Sequence, residues 1–336
     1  MKRTTIVDVG RLAGVSAKTV SRVLNDEPHV SAAVKQRVRE AADQLDYHPN
    51  VFAQALVRRK SNMIGLIYEN PSPSYVVELQ RGVLERLKGE RYRLVVIPIR
   101  SVQEHAAEVV GILRSAALDG VVLAPPASDN PIILNQLRDA RILCARIVPT
   151  RMIEAAPSNL VDDVAAARAI AEYVIELGHR EIAIIRGDPT HASTEARMLG
   201  YMQALHTAGI DMRLERIEPG LFTFDSGLVA GRQIFGRGDR PTAILAQNDD
   251  MAVGAMMAAR EFGLSIPDDV SIVGFDDSEV SRVTWPRLTT IRQPVFEMAV
   301  AATEMLVAQL EGQEFAMRIM HPHELMIRES AAPPRP

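Results

Sequence analysis

The chain has 336 residues and a formal net charge of −4, with 47% apolar and 24% charged residues. That mixture excludes a disordered polymer and leaves room for two or three domains with a well-buried core. A single cysteine, Cys144, excludes an intrachain disulfide and suits a reducing cytoplasm, where the protein is expected to reside. No apolar run approaches the roughly 18–20 residues of a membrane span. Asp8, Gly10 and Arg11 interrupt the N-terminal stretch where an export signal would be apolar.

Residues 1–60 hold eleven Lys and Arg against six Asp and Glu, whereas the remainder holds 27 against 36. A basic module therefore precedes an acidic body, which suits a polyanionic partner, although many solvated helical faces are as basic. Thr5 is placed to cap a short helix with Ile6, Val9, Leu12 and Ala13 on its apolar face, and Gly14 supplies the positive φ of a tight exit. Val15 fills the space beneath the turn, and Ser16 is a good N-cap for a second helix. There Val20, Val23 and Leu24 face inward, while Ala17, Lys18, Ser21 and Arg22 share the opposite side. A third helix is expected from Ser31, with Val34, Val38, Ala41, Ala42 and Leu45 on one stripe. Three short helices with a glycine turn between the first two describe a helix-turn-helix unit. In YHPNVFAQALVRRKSN, Pro49 ends an extended link, Asn50 caps, and 51–58 provides about two helical turns, marginal in isolation.

The segment TIVDVGRLAGVSAKTVSRVLNDEPHVS resembles, nearly throughout, the DNA-binding headpiece of the lac repressor (LacI/GalR) family. The resemblance implies that the second helix enters the major groove, with Ala17, Lys18 and Arg22 reading base edges. Lys18 or Arg22 would donate to guanine O6 and N7, and Ala17 would touch a thymine methyl. Thr19, Ser21, Asn25 and His29 would hold phosphates, and the helix starts at Thr5 and Ser31 would add amide contacts to phosphate. It also makes the short helix beyond Asn50 a hinge helix, with Leu56 as the wedge in the minor groove and Ala53 beside it. Spacing alone leaves Leu56 an ordinary core residue, and Phe52 is bulkier than the aliphatic residue common at its position.

From Met63 onward, short apolar runs alternate with amphipathic stretches. The runs lie at 63–68, 93–99, 120–125, 142–148, 181–187, 242–248 and 270–276, with helical patterns at 76–89, 103–117, 164–177, 195–208 and 251–262. Repeated β-α units imply parallel sheets covered by helices, and about ten strands fit two lobes better than one sheet. Ligands in such sheets settle beyond the strands' carboxyl ends. There the chain carries YENPSPSY, GDPTHASTEAR, QNDD and GFDDSE. These segments resemble the effector-binding core of the same family, of periplasmic-binding-protein type 1 fold, to about residue 329. The resemblance assigns effector contacts to Arg197, Asn248 and Asp276 in the second lobe and to Asn70 and Tyr75 in the first. Ser193 and Phe224 are added, the latter to stack on a sugar face. Asp249 and Asp277 either join them or only cap helices, and Arg197 either contacts ligand or pairs with a carboxylate. Arg146, at the end of an apolar strand, needs a partner to offset desolvation, either an internal carboxylate or an effector oxygen.

The expected protein is thus an all-α helix-turn-helix headpiece on a two-lobed α/β body with parallel sheets. The headpiece spans 1–49, the hinge and linker 50–60, the body 61–330 and a tail 331–336. The first lobe takes 61–160 and 292–320, and the second 161–291 and 321–330. Its expected partners are pseudo-palindromic double-stranded operator DNA, a small sugar or sugar-acid effector, and a second copy in a homodimer, since no leucine heptads follow the body. A sugar-binding transport protein shares the body fold but would need an export signal and no headpiece. The sequence has no P-loop, G-x-S-x-G, H-E-x-x-H or paired-cysteine motif, and HPHE at 321–324 reads as a strand edge rather than a metal site. No enzyme activity, cofactor or metal is expected.

Overall fold

The computed structural model describes residues 4–24, 30–47, 61–69 and 72–335. The chain divides into two compact units, Met1–Asn62 and Met63–Pro336.

In the first unit, α1 (Ile6–Ala13), α2 (Ala17–Leu24) and α3 (Ala32–Gln44) enclose Val9, Ala13, Val20, Val23, Val38, Ala41 and Ala42. The start of α1 is fixed by Asp8, whose Oδ2 accepts from Thr5 N at 2.9 Å and from Thr5 Oγ1 at 2.6 Å. Gly14 ends it with φ +67° and donates its N–H to Gly10 O, a left-handed exit that favours glycine. Ser16 Oγ accepts from Thr19 N at 3.2 Å and so starts α2. Ser31 stands at the N-cap of α3, but its hydroxyl makes no capping bond there.

The second unit contains twelve strands among the described residues. They are β1 (Met63–Tyr68), β2 (Arg93–Pro98), β3 (Gly120–Leu123), β4 (Leu143–Ile147), β5 (Ser158–Val161), β6 (Ile182–Arg186), β7 (Ile217–Pro219), β8 (Ala243–Ala246), β9 (Ser271–Asp276), β10 (Thr289–Arg292), β11 (Arg318–His321) and β12 (Glu324–Met326). All seven apolar runs are strands. The five additional ones have three or four residues each and, unlike the equally short β3 and β8, lie in no longer apolar run. The 103–117 pattern is broken by a 3₁₀ turn at Ala106–Glu108.

Two six-stranded sheets result, in the orders β11-β5-β4-β3-β1-β2 and β12-β10-β9-β8-β6-β7. Every pairing is parallel except β10 with β12. The strand order reverses at β1/β3 in one sheet and at β6/β8 in the other, and at such switch points the loops leaving the carboxyl ends open a crevice. The chain crosses between the lobes three times, after β5, after β10 and between β11 and β12. The helix Val295–Glu311 follows β10 of the second sheet yet buries Met298, Ala302 and Leu306 against Leu66, Val122 and Ala145 of the first. That crossing makes the lobes covalently interdependent.

Candidate nucleic-acid interface and interlobe cleft

On α2, Lys18 and Arg22 are exposed, Ala17, Thr19 and Ser21 are half-buried, and Val20 and Val23 are buried. The helix therefore presents a basic, small-residue face beside an apolar one, with dimensions that suit a DNA major groove. Asn25, His29, Asn50, Ala53, Leu56 and Asn70 lie outside the described residues.

Between the lobes, Ser72, Tyr75, Pro125 and Val148 face His191, Ser193, Arg197, Phe222, Asn248, Asp276 and Gln293 across a cavity of about 30 Å³. That is room for about one water molecule and not for a sugar ring, so this is a closed arrangement of the cleft. A more open groove of about 560 Å³ continues outward past Tyr75, Asp276 and Gln293 toward Phe296.

Arg197, buried on the helix Ala192–Thr207, is the centre of the polar chemistry. Its Nε donates to Asp163 Oδ1 at 2.9 Å, Nη1 donates to Gln247 O, and Nη2 stands 3.9 Å from Asp276 Oδ1. The guanidinium also lies over the Phe275 ring at 3.8 Å. Asp276 Oδ1 accepts from Gln293 Nε2 at 2.6 Å. Burial outweighs the nearby Arg197 and the Gln293 bond and pushes the Asp276 carboxyl up to about 7. Its backbone is held at φ +123°, with Asp277 at φ +54° and Val148 across the cleft at φ +44°. Such conformations are costly for residues with a side chain and cluster at sites that need a particular geometry.

Asn248 lines the cleft but is engaged within the protein. Its Oδ1 accepts from Met251 N at 2.9 Å, capping the helix Asp249–Glu261, and its Nδ2 donates to Phe222 O at 2.9 Å. Asp249 is buried and accepts from Ser278 N and Oγ and from Thr290 Oγ1. Asp277 pairs with Arg292 and Arg328. Both are thus engaged within the protein, but neither caps the helix that follows it, since Asn248 and Ser278 hold those N-cap positions. Tyr75 is buried against the cleft, and burial raises its hydroxyl pKa.

Two expectations need correction. Arg146 is wholly buried and directed into the first lobe: Nε donates to Ser128 O at 2.7 Å, Nη1 to Met152 O at 2.7 Å, and Nη2 to Arg151 O at 2.6 Å and Asp129 Oδ1 at 3.3 Å. It locks the loop after β4 to the loop after β3, leaving Val148 to face the cleft. Phe224 is exposed as the first residue of the helix Phe224–Gly236 and does not line the cavity. Phe222, two residues earlier in the loop after β7, does so.

His191 and Gln293 were not singled out from the sequence. His191 meets Phe222 edge-on with ring centroids 5.3 Å apart, and burial pushes the imidazole down to about 4, so it is neutral at pH 7. Its position in the loop beyond β6 was the available signal. Gln293 follows β10, a strand too short to be recognised. No group of three or more His, Cys, Asp or Glu among the described residues has the arrangement of a metal site, and no helix among them is long and apolar enough to cross a membrane.

A three-helix module with a basic recognition face, joined to a two-lobed body with a polar cleft, defines a ligand-responsive DNA-binding regulator. Residues 5–50 match the family described as bacterial regulatory proteins, lacI family, and residues 171–331 match the periplasmic binding protein-like domain. The chain is 33% identical over 334 residues to the probable HTH-type transcriptional repressor ExuR of Bacillus subtilis (strain 168), covering 97% of this chain and 98% of that protein. It is 31% identical over 334 residues to the regulator DegA of the same organism, covering 98% and 99%. Among solved structures, the lac repressor dimer bound to operator and the anti-inducer ONPF is similar at TM-score 0.87 and 28% identity, covering 98% of this chain and 100% of that one. A CelR–cellobiose complex is similar at TM-score 0.74 and 29% identity, with the same coverage. The chain belongs to the lacI family of bacterial regulatory proteins. It is a DNA-binding transcriptional regulator.

Proposed function

We propose that this regulator is a repressor of carbohydrate-utilisation genes, whose grip on a pseudo-palindromic operator is set by a small polyhydroxylated effector in the interlobe cleft. Ala17, Lys18 and Arg22 read bases, while Thr5, Ser16, Thr19, Ser21, Asn25, His29 and Ser31 hold the backbone. Residues 1–49 form the headpiece and 50–60 the hinge, in which Asn50, Ala53 and Leu56 meet the minor groove. The two-lobed body at 61–330 binds effector and pairs with a second copy, and the tail is 331–336. The protein acts in the cytoplasm on chromosomal DNA.

The observation that carries this reading is the Arg197–Asp276–Gln293 network. It combines hydrogen-bond donors and acceptors with the aromatic wall of Phe222, and it adjoins two of the three interlobe crossings. Arg197 is already balanced by Asp163 and Asp276, which supports a neutral sugar over a sugar acid. The relative that resembles this chain with cellobiose bound points to the same ligand class. An effector that prefers one lobe arrangement moves the equilibrium by its differential affinity and no more. Because the described cavity holds about 30 Å³, a sugar has to select a more open arrangement.

The test is footprinting on DNA around the gene, with and without a carbohydrate panel. A protected inverted repeat whose occupancy responds to one sugar is expected. Absence of any protected fragment at low ionic strength would refute the reading.

A further inference from the structure

Gln247 is fully buried at the carboxyl end of β8 and does not line the cleft. Its polar atoms nevertheless bond the guanidinium of Arg197 and the two ends of the segment that carries His191 and Ser193. Oε1 accepts from Gly187 N at 2.8 Å, Nε2 donates to Thr194 O at 3.0 Å, and the backbone oxygen accepts from Arg197 Nη1. Its backbone N–H continues the sheet by donating to Ile185 O at 3.0 Å. The residue thus fastens the exit of β6, the first turn of the helix Ala192–Thr207 and the guanidinium to one strand end.

The loop held in this way has little freedom. Thr194 Oγ1 donates to Asp188 O at 2.6 Å, Thr194 N to His191 O at 3.0 Å, and His191 N to Asp188 O at 3.1 Å. Gly187 sits so close to Phe222 that an added Cβ would lie 2.1 Å from the ring. The next residue, Asn248, holds Phe222 O from the other side. A buried amide satisfied at both ends is costly to leave unpaired, so it selects one loop arrangement over neighbouring ones.

We propose that Gln247 is a positioning residue that sets the cleft's effector affinity by holding His191, Ser193 and Arg197 in register with Phe222 and Asp276. This rests on the cleft being the effector site. A similar apolar shape without hydrogen bonds, as in Gln247→Met, should release the 187–194 loop while the Arg197 contact to the backbone oxygen remains available. Gln247→Glu keeps an acceptor for Gly187, and at alkaline pH, where exchange is compared and the buried carboxyl is ionised, it cannot donate to Thr194 O.

The test is hydrogen–deuterium exchange on the full-length wild type and both variants, alongside calorimetric titration with cellobiose and with D-glucuronate. In Gln247→Met, amides in 187–194 should exchange at least about tenfold faster, the equivalent of one hydrogen bond, while the helix Asp163–Glu176 keeps its wild-type rate. In Gln247→Glu, the faster exchange should be confined to the Thr194 end. A sugar bound by the wild type should bind Gln247→Met at least about tenfold more weakly. Unchanged exchange in 187–194 would overturn the proposal. So would lost protection spread evenly through the second lobe, which would reveal only general packing, or unchanged affinity despite a loosened loop. If the wild type takes neither sugar, the sugar reading of the cleft fails in that form, while the exchange comparison still judges the clamp.

Discussion

Arg197 on the helix Ala192–Thr207 is joined to Asp163, the first residue of the helix that follows the β5 crossing, at 2.9 Å and almost out of reach of solvent. The pair links the cleft-lining guanidinium to the segment where the chain passes from one lobe to the other. Removing the arginine leaves Asp163 buried without its cation, so Arg197→Ala should destabilise the protein by about 3–5 kcal/mol. Urea denaturation should show the loss. At temperatures where the variant stays folded, footprinting should show operator protection that no longer answers to the effector.

Asp276 yields a pH prediction. Its carboxyl is raised from 3.8 in the unfolded reference to about 7 in the fold, because burial outweighs Arg197 and Gln293. The folded state therefore binds this proton more tightly than the unfolded state. The associated stability is fully present below about pH 3.8 and is lost as pH rises through about 7. Asp249, Asp250 and Asp163 lie in the same acidic neighbourhood. Asp276→Asn should flatten the dependence of Tm on pH over that interval, as read by scanning calorimetry. An unchanged slope would count against a carboxyl that protonates within the fold.

Arg146 and Arg197 should separate cleanly. Arg146→Met orphans three carbonyls and weakens the hold on Asp129, costing about 2–3 kcal/mol in denaturant unfolding. Effector affinity of the folded variant should remain within about twofold of wild type, because the side chain reaches no cleft surface.

The two phenylalanines give a paired test. Phe222→Leu removes the aromatic wall and should weaken effector binding about tenfold by calorimetry. Phe224→Ala, at an exposed helix start, should leave it within about twofold. The reverse result would move the ligand away from the described cavity.

On the DNA side, Arg22→Ala should cost about 1–3 kcal/mol of discrimination between operator and non-operator DNA. Gel-shift titrations over a salt series should keep a steep salt dependence, since the proposed phosphate contacts elsewhere on the unit would persist.

The headpiece was legible because its signals are local. Thr5, Gly14 and Ser16 act within four residues of themselves, and the stripe from Val20 to Val23 repeats at helical period. The seven long apolar runs announced a parallel α/β body for the same reason, and the resemblance to one family supplied Arg197, Asn248 and Asp276. The short strands β5, β7 and β10 to β12 were invisible, because their mixed polar residues lack the apolar run that announced the equally short β3 and β8 and acquire strand character only from the neighbour they pair with.

Tertiary structure alone decided which of two buried arginines lines the interlobe cleft. Arg146 ends an apolar strand and Arg197 lies on a helix after a polar loop, but the carbonyls and carboxylate that satisfy Arg146 come from loops brought together by β3 and β4. It also decided between Phe222 and Phe224, since the two residues of chain that start the helix carry the second ring out to solvent. Composition and period determine where helices and strands form. The direction of a charge or ring depends on atoms distant in sequence, whose hydrogen bonds and contact distances exist only once the sheets are assembled.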